Sequence, residues 1–123
     1  MKEMRMGESE TRFAKIIWQN EPITTKQMIK LCEQELGWKR TTTYTVLKNL
    51  CEKGIFQVQD SIVTSLVSRK EFFATQSEKF VELSFDGSLP QFLVAFAERK
   101  ALTQEEVDAI QQFINSFGED APS

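Results

Sequence analysis

The 123-residue sequence predicts a mainly α fold with one small β-hairpin, and three observations carry that expectation. Apolar residues recur at helical spacing from residue 8 to residue 54. The period then changes to strand type between residues 55 and 67. Eight of the ten phenylalanines fall in the last 52 residues, which again show helical spacing. With 41% apolar and 27% charged residues, the chain is globular and has room for one ordinary domain, or for a small domain and an appendage.

Residues 8–20 form a first helix, because Phe13, Ile16 and Ile17 recur at i, i+3 and i+4 and Pro22 ends the segment. Thr24-Thr25-Lys26-Gln27 has the form of a capping box, in which the Thr24 hydroxyl and the Gln27 amide satisfy free backbone donors at a helix start. Met28, Leu31, Cys32 and Leu36 supply the stripe of that second helix, and Gly37 supplies its left-handed stop. After Trp38-Lys39-Arg40, the spacing of Thr43, Val46, Leu47 and Leu50 defines a third helix over residues 41–53, closed by Gly54.

Residues 55–59 and 62–67 are β-rich runs joined by Asp60-Ser61, the length of a two-residue hairpin turn. Ser68-Arg69-Lys70-Glu71 is a second box, opening a helix with Phe72, Phe73, Phe80 and Leu83 that Asp86-Gly87-Ser88 breaks. Ser88 caps the next helix, where Pro90 sits in the first turn and Phe92, Leu93 and Phe96 share one side. Thr103-Gln104-Glu105-Glu106 opens a last helix carrying Val107, Ile110, Phe113, Ile114 and Phe117, and the chain is expected to fray from Gly118.

Helix, helix, three-residue turn, helix and two-stranded ribbon is the order of a winged helix-turn-helix, whose third helix enters the DNA major groove. The expected organisation is a winged helix-turn-helix domain over residues 1–68, a helical dimerisation domain over 69–118 and a flexible tail over 119–123. The face of helix three opposite its buried stripe offers Thr41, Thr42, Tyr44, Thr45 and Lys48, preceded by Lys39 and Arg40. Threonine hydroxyls reach phosphates or base edges, their methyls fit thymine methyls, and lysines neutralise phosphate. Threonines at 41, 42, 43 and 45 are poor helix formers, so propensity alone does not select them.

The net charge of −3 conceals an asymmetry. Residues 1–70 hold twelve bases against eight acids, whereas residues 71–123 hold three against ten. A basic half that faces a polyanion and an acidic half held away from it explain that division. The absence of histidine removes the commonest general base and metal ligand, so no catalytic residue, cofactor or metal is expected. Cys32 and Cys51 lie on or beside apolar stripes and read as small core residues, as do Trp18 and Trp38. No apolar run approaches the ~20 residues of a bilayer span, and the N-terminus lacks a signal-peptide stretch, so a cytoplasmic protein without membrane insertion is expected.

The segments Met6-Gly7-Glu8-Ser9-Glu10, Ile17-Trp18, Leu36-Gly37-Trp38, Thr41 through Leu50, and Lys53-Gly54 together resemble the penicillinase-repressor (BlaI/MecI/CopY) family. The likeness continues through Leu66-Val67-Ser68-Arg69-Lys70-Glu71-Phe72 and Phe85-Asp86-Gly87-Ser88, so it covers most of the chain. The resemblance implies a homodimeric winged-helix transcriptional repressor on a palindromic double-stranded DNA operator. It also implies a membrane sensor-protease as partner, with a cut near Ala95–Phe96, a route to release that the residues themselves do not require. The chain departs from the family at Asn49, where an Arg is frequent, and in the wing, whose one charged residue is Asp60. It lacks the paired C-terminal cysteines of the copper-responsive branch, so metal sensing is not expected.

Dimerisation is also expected on physical grounds. Three short helices cannot enclose so many rings within one subunit, whereas an interface core favours them. The expected set is Phe72, Phe73, Phe80, Phe85, Phe92, Phe96, Val107, Ile110, Phe113, Ile114 and Phe117. Two other classes stay open at this point: a winged-helix adaptor that binds proteins and not DNA, and a ligand-responsive sensor with a pocket among the C-terminal phenylalanines.

Overall fold

In a computed structural model, which describes residues 5–120, nine elements follow in the order α1 (Glu8–Asn20), β1 (Ile23–Thr24), α2 (Thr25–Leu36), α3 (Arg40–Glu52), β2 (Phe56–Gln59), β3 (Ile62–Ser65), α4 (Arg69–Phe85), α5 (Leu89–Arg99) and α6 (Gln104–Asp120). The chain is mainly helical with a small antiparallel sheet, the architecture expected of a winged helix domain with a helical C-terminal region. It divides into two compact units, one running to Ser77 and one beginning at Glu78. No described helix is long and apolar enough to cross a membrane.

The capping chemistry operates where the sequence placed it. The Gln27 N–H donates to Thr24 Oγ1 at 3.1 Å, and the Thr24 N–H donates to Gln27 Oε1 at 3.2 Å. Thr103 and Glu106 exchange the same pair of bonds at the start of α6, while Ser68 and Ser88 accept from Glu71 and Gln91 N–H. Gly37 terminates α2 at φ 68°, a conformation that costs a residue with a Cβ. Asp60 and Ser61 both have positive φ, giving the hairpin the primed turn that matches strand twist.

Strand β1 is an addition to the expected ribbon. Ile23 pairs with Val63 and Thr24 with Ile62, so the strand order is β1-β3-β2 with β3 central. Two residues are too few to show a period of two, and their partner lies far along the chain. Helix α6 continues through Gly118 to Asp120, and the remainder of the expected tail, 121–123, lies outside the described residues.

The core of the first unit gathers Phe13 and Ile17 from α1, Met28 and Cys32 from α2, Leu47 and Leu50 from α3, and Ile55, Phe56 and Val63 from the ribbon. Trp18 seals one side, its indole N–H donating to the Val67 carbonyl at 3.0 Å and its ring 5.9 Å from both Phe72 and Phe73. Phe72 is 3% exposed in this cluster. It therefore leaves the expected dimerisation set, because the first turns of α4 bury it within the winged unit. Phe73 is half-buried there, with the Lys15 ammonium and the Arg69 guanidinium each about 6 Å from its ring centroid.

In the second unit, Phe80, Phe85 and Phe92 form a three-ring cluster with centroids 5.7 to 6.0 Å apart. Phe113 and Phe117 lie 5.7 Å apart on one face of α6 and stay about two-thirds exposed, and Val107 and Ile114 are also exposed. The Trp18 bond to Val67 is the joint between α1 and the start of α4. Trp18→Phe leaves that carbonyl without its donor and is expected to lower stability by about 1–3 kcal/mol in urea unfolding.

Candidate nucleic-acid interface

The orientation of α3 is set by what it buries. Thr43, Leu47 and Leu50 face the core while α3 packs against α1, α2 and β2. Thr43 is polar and wholly buried, and its hydroxyl donates to the Lys39 carbonyl at 3.1 Å, which satisfies it. Before the helix, Trp38 stacks on Phe13 with centroids 5.9 Å apart and planes 13° from parallel. After it, the Lys53 ammonium donates to both Glu10 carboxylate oxygens at 3.2 Å and to the Arg5 carbonyl at 2.6 Å. Both ends of α3 are thus tied to α1.

All seven residues expected at the interface, Lys39, Arg40, Thr41, Thr42, Tyr44, Thr45 and Lys48, are exposed. The Arg40 guanidinium carbon lies 5.7 Å from the Tyr44 ring centroid, so the helix start and its second turn share one cationic and aromatic surface. The Thr45 hydroxyl donates to the Thr41 carbonyl at 2.9 Å, which leaves its oxygen to accept and its methyl to make apolar contact. Asn49, four residues after Thr45, is also exposed and adds an amide to this side. Its i+4 spacing was the available signal; in the sequence it had stood out only as a departure from the family's pattern.

Electrostatically the start of α3 differs from the other helix starts. Helices α1 and α6 carry acids in their first turns, and α2 and α5 carry side-chain caps. The N-cap of α3 is Lys39, with no side-chain hydrogen bond and no acid in the first turn. Two cations at the positive end of a helix oppose its dipole, a cost an incoming polyanion would remove. The outward side of the wing is neutral, with Gln57, Gln59, Ile62 and Thr64, and Gln57 Nε2 donates to Thr64 Oγ1 at 3.2 Å.

Beneath α3, burial pushes the Cys32 thiol up to about 11, against a lowering hydrogen bond from Thr43 and with a smaller raising effect from Glu35. Burial likewise pushes up the half-buried Cys51. Both are protonated at neutral pH and unsuited to nucleophilic or metal chemistry. Among the described residues no cluster of His, Cys, Asp or Glu could hold a metal ion.

Comparison with known proteins extends over both units. The family model for penicillinase repressors matches residues 6–116. A penicillinase repressor from Bacillus licheniformis is 23% identical over 114 residues, 89% of each chain. The methicillin resistance regulatory protein MecI of Staphylococcus aureus is 23% identical over 118 residues, 93% of this chain and 96% of its own. MecI of Mammaliicoccus sciuri is 22% identical over the same length.

The raised thiol of Cys32 gives a pH dependence with a defined sign. Its neutral form is favoured in the folded state, so its contribution is complete below the ordinary value of 9.0 and is lost as pH rises towards about 11. Stability is expected to fall across that window in wild type and less in Cys32→Ala, measured by urea unfolding at stepped pH. Native Cys32 should also resist iodoacetamide at pH 8 and react once the chain is unfolded.

Proposed function

Because the chain belongs to the penicillinase repressor family, whose members are transcriptional regulators and not enzymes, we propose that it is a sequence-specific DNA-binding repressor acting as a homodimer on a palindromic operator. The observation that carries this reading is the outward face of α3. Seven polar, basic and aromatic side chains stand together on it, at a helix start left without cap or acid. Arg40, Thr41, Thr42, Tyr44 and Thr45 occupy the N-terminal turns, the part of a recognition helix that meets base edges, while Lys39 and Lys48 flank them for phosphate.

A second copy is the occupant that suits the C-terminal unit. Val107, Phe113, Ile114 and Phe117 leave an apolar stripe in water on α6, and Phe80 and Phe96 are exposed beside the half-buried Phe85 and Phe92. Such a stripe is characteristic of an interface core. Two-fold symmetry then sets the half-sites about 10 base pairs apart or at a multiple of that. Release by a membrane sensor-protease would act in α5 near Ala95 and Phe96, the latter exposed.

Incubation with sheared DNA from the source organism at physiological salt, followed by recovery and sequencing of bound fragments, tests the reading. The expected outcome is a sharp set of fragments sharing a short palindrome. A flat distribution from folded dimer would replace the repressor with a protein-binding adaptor. On the recovered operator, Thr42→Ala is expected to reduce preference over random duplex by about 1–3 kcal/mol. Lys48→Ala should weaken both duplexes alike and lower the salt slope by about one. Equal losses on both duplexes for Thr42→Ala would remove it from base reading.

A further inference from the structure

We propose that Arg40 and Tyr44 act as one guanine-reading unit, in which the Arg40 guanidinium donates paired hydrogen bonds to the O6 and N7 acceptors of a major-groove guanine while Tyr44 positions it. The inference rests on the DNA-binding reading above and assigns the base chemistry of that same face. Arg40 is the first residue of α3 and Tyr44 lies one turn on, an i, i+4 pair that brings the guanidinium carbon to 5.7 Å from the ring centroid. Both side chains are exposed, so the pairing completes no core and closes no cavity. The position also opposes the helix dipole, so the dipole gives Arg40 no stabilisation there.

The chemistry of the pair selects its target. A guanidinium held over a ring engages through its face, and the N–H donors at its edge remain directed away from the ring. Holding the fork in one orientation before binding reduces the rotamer freedom lost on contact. Arg40 is the one guanidinium on α3, and guanine is the base whose major-groove edge presents two acceptors to such a fork. The threonines of the face carry single hydroxyls, and Lys48 is a point charge suited to phosphate. Tyr44 is therefore a positioning residue: its ring is what matters, and its hydroxyl is dispensable.

The test uses the full-length protein and a duplex recovered by it from a random-sequence pool. Each guanine is replaced in turn by 7-deazaguanine, which keeps base pairing and the phosphate but lacks N7. Wild type is expected to lose about ten- to a hundredfold in affinity at one guanine per half-site. Arg40→Ala, which has no donor for N7 or O6, should bind the unmodified duplex more weakly and be indifferent to that replacement. Tyr44→Phe should match wild type, Tyr44→Leu should fall between, and Tyr44→Leu should cost nothing further once Arg40→Ala is present. Thermal unfolding of each variant confirms that the exposed substitutions leave the fold intact.

A recovered site without guanine, a wild type indifferent to every replacement, or an Arg40→Ala variant that keeps the sensitivity overturns the proposal. Weakening of all duplexes alike by Arg40→Ala would assign the fork to phosphate, and a loss in Tyr44→Phe equal to that in Tyr44→Leu would assign the hydroxyl to the base. Wild type with no sequence preference removes the DNA-binding reading as well. Preference without an Arg40-dependent guanine removes this inference alone.

Discussion

The burial of one side of α3 is the constraint on which the rest depends. Thr43, Leu47 and Leu50 cannot leave the core without exposing apolar area and a satisfied buried hydroxyl, so the opposite side has no freedom about where it points. The remaining elements hold that orientation. Trp38 on Phe13 fixes the approach to the helix, and Lys53 on Glu10 fixes its exit. A recognition surface needs this rigidity, because base edges are read by donors and acceptors held within a fraction of an ångström.

The two ends of the chain were not equally legible in the sequence. Helices α1 to α3 could be read because each combines an apolar period with a start or stop signal, such as the Thr24 and Gln27 box or Gly37. The exposed face followed by subtraction, since a helix with one buried stripe has a determinate opposite side, and all seven residues expected there are exposed. Strand β1 was invisible because two residues have no period and are defined only by pairing with β3. Phe72 was grouped with the C-terminal rings because its own helix gives the same spacing whichever unit covers it. Its burial depends on Trp18, a contact that no local pattern encodes.

The Arg40 and Tyr44 contact was legible only in part. The i, i+4 spacing brings the two positions together on any helix, but the rotamers that lay a guanidinium over a ring are a matter of three-dimensional structure. The same limit applies to the electrostatics. The sequence shows Lys39 and Arg40 at the start of a helix, yet their cost becomes clear only beside the acids and caps that the other helix starts carry. A local rule broken at one place and kept elsewhere in the same chain marks a position selected for something other than stability.

On the proposed dimeric reading, the neutral wing gives a reason for two copies. The candidate interface presents Lys39 at the N-cap, Arg40 and Lys48 on α3 and no base in the ribbon, so few phosphates would be neutralised at that face. Joining two such units would make the second half-site encounter intramolecular, which raises avidity by about 10²–10⁴ without any new contact to DNA. Under that proposal the exposed apolar stripe of α6 would serve DNA binding as much as assembly, because without it the bases of one α3 alone would have to hold the operator. The acidic C-terminal half fits the same proposal, since it would repel phosphate and leave the basic half to face it.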